Sequence, residues 1–249
     1  MMYMKDTIFY VGGSKGGVGK SMVSHALVQF LIDKYSDQKT IYVVETDDSN
    51  PDVGRAYKGK IPGAGFVLDE DERGWLALSD LLDGSRDTLF VINSAARSNM
   101  GIRKNGREFT ETLRNGGRYD LVTLWPMNRQ KDSVVLLGDF LRYVDYGSVY
   151  PVLNTYFGDA VDFTLYTNYL RESDFLESKV TKTLIFPSLS DMIADIFYSG
   201  GQTIPETEGR LNALARQYFL TWRRKANAMF EEIEEIANAD VTAEGDGEL

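Results

Sequence analysis

Residues Ser14, Lys15, Gly16, Gly17, Val18, Gly19, Lys20 and Ser21 lie between two patterned segments. Before them is a strand-like apolar run, Thr7–Val11; after them Val23, Ala26, Leu27, Phe30 and Leu31 recur at the three-and-four spacing of one helix face. A strand that turns through glycines directly into a helix opens a parallel sheet, because only a crossover connection brings the chain back to start a parallel neighbour. The turn also carries chemistry. Closely spaced glycines let several backbone N–H groups point inward at an anion, and the helix that follows presents its positive end to it. In such a loop Lys20 reaches the β- and γ-phosphates of a nucleoside triphosphate, and the Ser21 hydroxyl ligates Mg²⁺.

The rest of the chain repeats the alternation. Short β-rich runs occur at Thr40–Glu45, Thr88–Asn93, Leu121–Trp125, Val149–Asn154 and Thr183–Phe186. Helix-period segments occur at Trp75–Leu82, Glu108–Arg114, Asp132–Val144 and Asp191–Tyr198. After Pro205, apolar residues from Leu211 to Ile236 are spaced three, four or seven apart, which predicts one amphipathic helix running to about Ala237. The expected fold is therefore α/β, a mostly parallel sheet flanked by helices on both faces, with a long C-terminal helix. Residues 1–204 are expected to form the nucleotide-binding domain, residues 205–238 the helix packed on it, and residues 239–249 a small, acidic, disordered tail.

Composition excludes several chemistries. The chain has no cysteine and a single histidine, His25, so neither a disulfide framework nor a thiolate or histidine metal cluster can form. His25 itself is expected to be packed or solvated rather than catalytic, and Trp75, Trp125 and Trp222 fall at core positions. No apolar stretch approaches the roughly 18–20 residues of a membrane span, and no export signal is read at the N-terminus, so a cytoplasmic protein is expected. The net charge of −10 is unevenly placed. Residues 231–249 hold eight acids and no Lys or Arg, whereas Arg97–Lys131 hold eight bases against three acids.

Lys15 adds to the phosphate motif something that phosphate binding does not itself demand. The run Lys15-Gly16-Gly17-Val18-Gly19-Lys20-Ser21 resembles the deviant Walker A loop of the ParA/MinD family of ATPases. The resemblance implies ATP or ADP with Mg²⁺ as ligand, bound by Lys15 through Met22. It further implies a sandwich homodimer in which Lys15 reaches the partner's nucleotide. Asp47 matches the second acid of the family's Asp-x-Asp at the end of the second strand, the residue that orients the attacking water and approaches Mg²⁺. Lys15, Lys20 and Asp47 are thus the expected catalytic set, and Ser21 and Asp47 the metal ligands. Asn154 and Pro187 resemble the family's adenine contacts. Glu45 takes the place of the first acid; Asp48 and Asp52 are as well explained by a solvated acidic turn. One departure stands out. Phe90-Val91-Ile92-Asn93-Ser94-Ala95 lies where the family has apolar residues followed by Asp-Ser/Thr-Pro, so Asn93 replaces an acid and brings no charge to the Mg²⁺ surroundings. Weak or partner-stimulated hydrolysis is expected, with Asn93→Asp raising it.

In this family the ATP state controls a dimer that grips DNA, a membrane or a protein partner. The acidic C-terminus argues against a membrane. Arg97–Lys131, with Arg210, Arg216, Arg223, Arg224 and Lys225 on the last helix, could form a dimer-wide face for nonspecific DNA binding. The strand-end phrase around Asp47 together with Asn93 most resembles the StbB- and TraL-type ATPases of plasmid stability and conjugal transfer, which implies a partition or transfer role with a partner protein. Two other classes stay open: a non-hydrolysing, ATP-dependent protein-docking switch, and a metabolic P-loop synthetase or kinase, whose acceptor pocket the Arg55–Asp71 segment is long enough to line.

Overall fold

A computed structural model describes residues 5–13, 16–48, 50–96 and 98–245, with side chains as far as 236. The central strand is β1 (Thr7–Val11), flanked by β4 (Thr88–Asn93) and β5 (Asp120–Met127). Outward on one side lie β2 (Thr40–Glu45) and β3 (Gly63–Gly65); on the other lie β6 (Ser148–Asn154) and β7 (Leu184–Phe186). The seven strands have the order β3-β2-β4-β1-β5-β6-β7, and every pairing is parallel. With both faces covered, a strand needs apolar residues on both sides, and Thr7–Val11 and Thr88–Asn93 are buried at every position.

Ten helices are found among the described residues. One face of the sheet carries α1 (Lys20–Tyr35), α2 (Asp52–Tyr57), α8 (Asp191–Ser199), α9 (Ile204–Arg210) and α10 (Ala213–Gly245), with Phe9, Leu27, Tyr57, Phe197 and Trp222 in their shared core. The other carries α3 (Glu72–Gly84), α4 (Asn99–Gly116), α5 (Lys131–Phe140), α6 (Thr164–Glu172) and α7 (Asp174–Lys179), packed on Tyr10, Trp125 and Phe140. Helix α1 is buried from Met22 to Leu31 because α10 covers the side that the sheet does not. His25 is among its buried residues, against Tyr57 and Phe197, and burial lowers its pKa to about 3. It is therefore a neutral packing residue.

Several boundaries differ from the sequence expectation. Strand β5 continues through Pro126, which pairs with Val152 although it cannot donate to the ladder. Helix α4 begins at Asn99, well before Glu108, because Gly101 is a packing site: a Cβ there would stand 2.3 Å from the Leu68 carbonyl oxygen. The segment after Pro205 is two helices rather than one. Leu211 is extended, and the Asn212 side chain accepts the Ala215 N–H at 3.0 Å, so α10 has its own N-cap. At its far end α10 reaches Gly245, so residues 239–245 of the expected disordered tail are helical; residues 246–249 lie outside the described set. No described helix is long and apolar enough to cross a membrane.

The N-terminal edge of the sheet is tied by a buried ion pair. Lys39 Nζ stands 2.7 Å from Asp6, whose carboxylate also accepts the Thr88 N–H at 3.0 Å. The Lys39 side chain is only 3% exposed, and removing it leaves the buried Asp6 carboxylate only the Thr88 N–H and the more distant Arg118 at 3.5 Å. Lys39→Met is expected to cost about 3 kcal/mol in a urea titration, with the far-ultraviolet signature of the native fold retained.

Candidate nucleotide site

The phosphate loop takes its shape from two left-handed residues that only glycine adopts cheaply, Gly17 (φ 80°) and Gly19 (φ 101°). Gly19 is the N-cap of α1, and an added Cβ there would lie 2.3 Å from Asn154 Nδ2. That amide donates to the Val18 carbonyl at 3.0 Å, while Asn154 Oδ1 accepts the Tyr156 N–H at 3.1 Å. Asn154, expected as an adenine contact, is thus also the side chain that fastens the loop to the end of β6.

Above the carboxyl ends of β1, β2, β4, β6 and β7 lies a cavity of about 730 Å³, where open parallel sheets place their ligands. Gly16, Gly17, Gly19, Lys20, Ser21 and Met22 form its floor, Asp47 and Asn93 one wall, and Asn154 and Pro187 the opposite end. Nearly all the residues singled out from the sequence therefore meet in one space. Val18 does not line it; its side chain is fully buried, and only its backbone belongs to the loop. Ser14 and Lys15 lie outside the described residues. Sequence reasoning missed Asn50, Tyr156, Phe157, Asp191, Asp195, Tyr198 and Trp222, which also line the cavity. Most come from loops and helix faces without motif spacing, although the proline loop pointed to their neighbourhood. Trp222 Nε1 donates to the Pro187 carbonyl at 2.9 Å, so α10 holds the loop in place.

Burial and nearby carboxylates act on Lys20 in opposite directions. Burial lowers the Lys20 pKa, and Asp47 and Asp52 pull it partly back. The donor set suits Mg²⁺. Ser21 and Asp47 line the same cavity, while among the described residues no group of three His, Cys, Asp or Glu could hold a metal unaided. Mg²⁺ characteristically keeps waters and phosphate oxygens around one or two protein ligands, and bound here by Ser21 and Asp47 it would offset triphosphate charge.

Glu45 and Asn93 form a linked exception. Glu45 turns toward α2, away from the cavity, and its two oxygens accept Gly54 N–H at 2.7 Å and Asn93 Nδ2 at 2.9 Å. Asn93 Oδ1 accepts the Ser24 hydroxyl at 3.0 Å. An aspartate at 93 would place a second carboxylate against Glu45, so the geometry turns the expected gain from Asn93→Asp into a clash of charge. Burial already raises the Glu45 pKa to about 7 despite the opposing bonds from Gly54 and Asn93.

Within one chain the basic residues lie on two sides of the sheet. Helix α4 packs on one side of the sheet and α10 on the other, so Arg103–Arg114 and Arg210–Lys225 are separated by it. Many are engaged within the chain: Arg103 with Asp139, Arg107 over Tyr143, Arg118 with Asp6, and Arg223 with Asp33. Arg97 lies outside the described residues.

Comparison with known proteins concerns the chain as a whole. No protein-family profile matches the chain. Protein MobD of Acidithiobacillus ferrooxidans is 36% identical over 228 residues, covering 92% of this chain and 98% of that protein. The chain belongs to the same family as MobD. A ParA family ATPase from Chlorobium tepidum shares the fold with a TM-score of 0.52 at 12% identity, covering 88% of this chain and 98% of that one. A plasmid partition protein from Borrelia burgdorferi gives 0.50 at 14% identity, covering 92% and 99%.

In this MobD relative the Glu45–Asn93 pair yields a pH-dependent prediction. With a pKa of about 7 folded against an ordinary 4.5 unfolded, Glu45 contributes stability that is full below about 4.5 and lost as pH rises through about 7. Asn93→Asp adds a like charge beside it and is expected to lower stability by about 2–3 kcal/mol, more at pH 8 than at pH 6. Glu45→Gln added to that variant restores a donor between the two positions, and thermal melts at both pH values should recover most of the loss.

Proposed function

We propose that the protein is an ATP-driven switch of plasmid partition or conjugal transfer. It binds ATP with Mg²⁺, closes with a second copy across the phosphate face, and hydrolyses slowly or when a partner protein stimulates it. The observation that carries this is the convergence of Gly16, Gly17, Gly19–Met22, Asp47, Asn154 and Pro187 on one cavity at the carboxyl edge of a parallel sheet. Within it, Lys20 holds the phosphates, Ser21 and Asp47 hold the cation, Asp47 orients the attacking water, and Asn154 and Pro187 bound the base. Lys15 serves the partner's nucleotide. Phosphoryl transfer rests mainly on such positioning and charge stabilisation. Relatedness to MobD, and a fold shared with a plasmid partition protein, support the biological setting.

A second reading has its own observation. Beside α2 lies a cavity of about 570 Å³ lined by Arg55, Lys58, Ile61 and Gly63–Gly65, space that an acceptor substrate of a P-loop synthetase or kinase could use. The two readings separate by size measurement. Light scattering in ADP and in ATP–Mg²⁺, with unrelated DNA in a parallel run, is expected to show a dimer in ATP alone. A nucleotide-indifferent monomer would favour the metabolic enzyme. Lys20→Ala is expected to abolish nucleotide binding. Lys15→Ala should bind ATP but stay monomeric, and an ATP-induced dimer of that variant would sink the sandwich arrangement.

A further inference from the structure

Asn93 stands where the family's β4 acid stands, so a second carboxylate at the phosphate end must come from elsewhere or be lacking. Glu45 cannot supply it, being turned to the Gly54 N–H on α2 and absent from the cavity wall. Asp48 is exposed and also off the wall. Asp52 does line the cavity, together with Lys20, Ser21 and Asp47. It is not a loosely held surface acid. As the first residue of α2 it accepts the Val53 N–H at 2.9 Å, and the same Oδ1 lies 3.5 Å from Asn93 Nδ2. The Asn93 amide thus points between two carboxylates, Glu45 at 2.9 Å and Asp52 at 3.5 Å, while Ser24 fixes its other end. A neutral donor can stand between two acids; a third acid there would face both.

We propose that Asp52 is the second acid of the nucleotide site, held toward the cavity by Asn93, and that it takes the part which a carboxylate on β4 plays elsewhere in the family. The inference rests on the reading of this cavity as a nucleotide site. Asp52 is a positioning residue: it accepts hydrogen bonds from water ordered around the cation and adds negative charge that the cation offsets. Its charge already acts on Lys20 alongside that of Asp47. A purely structural Asp52 would act through its bond to the Val53 N–H, which an asparagine side chain can still accept.

Asp52→Asn therefore separates the roles, with Asp48→Asn as a neighbouring charge control. A fluorescent ATP analogue is titrated into the full chain with Mg²⁺ and with EDTA, and phosphate release is followed in parallel. The wild type should bind more tightly with Mg²⁺. Asp52→Asn should keep its affinity in EDTA, lose about ten- to a hundredfold of the Mg²⁺-dependent gain, and slow phosphate release by a similar factor. Asp48→Asn should behave as wild type. An Asp52→Asn protein with the full Mg²⁺ gain and wild-type phosphate release overturns the inference and leaves the nucleotide reading standing. A wild-type chain that binds no analogue in either buffer overturns both.

Discussion

The bond from Asn154 to the Val18 carbonyl joins the two halves of the sheet at the point where the site is built. Strand β1 must leave the sheet, turn through left-handed backbone at Gly17 and Gly19, and enter α1 with its first N–H groups unpaired by helix partners. Such a turn has little of its own to hold it. Its stability comes from what closes around it: Asn154 from the end of β6 on one side and the covered α1 on the other. Because Gly19 leaves no room for a Cβ beside Asn154, the glycine and the asparagine form one unit. The same asparagine fixes the Tyr156 N–H, so the geometry of the phosphate floor and the start of the base-end wall are set by a single side chain.

A second constraint is charge. The end of β2 carries Glu45, Asp47, Asp48 and Asp52 within eight residues, and a low-dielectric site cannot hold so many carboxylates facing one another. The fold distributes them. Glu45 is turned under α2, Asp48 is left in solvent, and Asp47 and Asp52 face Lys20. Asn93 is what makes the distribution possible, because its amide gives Glu45 a donor where an aspartate would give a repulsion. The departure at 93 is thus the complement of Glu45, and the two substitutions are better understood as a pair than as the loss of an acid.

How far this was legible follows from what each residue depends on. The glycine loop, β1, α1, β2 and β4 were readable because their patterns are local: spacing, period and run length. Strand β3 was not, since Gly63-Ala64-Gly65 has no strand-forming side chains and is a strand only because the edge of β2 offers it hydrogen bonds. Gly101 and Gly106 serve close packing against the Leu68 carbonyl and Tyr143 inside α4, a role that spacing along the chain does not display. The cap that Asn212 gives α10 was hidden by the apolar period that runs across it. The placement of the basic residues on two sides of the sheet was not legible for a different reason: charge along a sequence carries no information about which side of a sheet a helix will occupy. Asp52 belongs to the same class, because its relation to Asn93, 41 residues away, exists only after β2 and β4 pair.

The charges of the finished cavity bear on why nucleotide and self-association would be coupled. Among its described lining residues Lys20 is the cation, whereas Asp47 and Asp52 stand at the phosphate end and Asp191 and Asp195 at the base end. A triphosphate is itself strongly anionic, and the partial positive charge of the α1 N-terminus with the inward N–H groups offsets only part of this excess. Mg²⁺ supplies two further charges, and a cation from a second copy supplies another. In the proposed ATP-driven switch, a site whose described lining is so short of positive charge would gain most from whatever brings that charge, a cation or a second copy. On the same proposal, loss of the terminal phosphate would remove part of the anion that favours a second copy's lysine, and so would favour release.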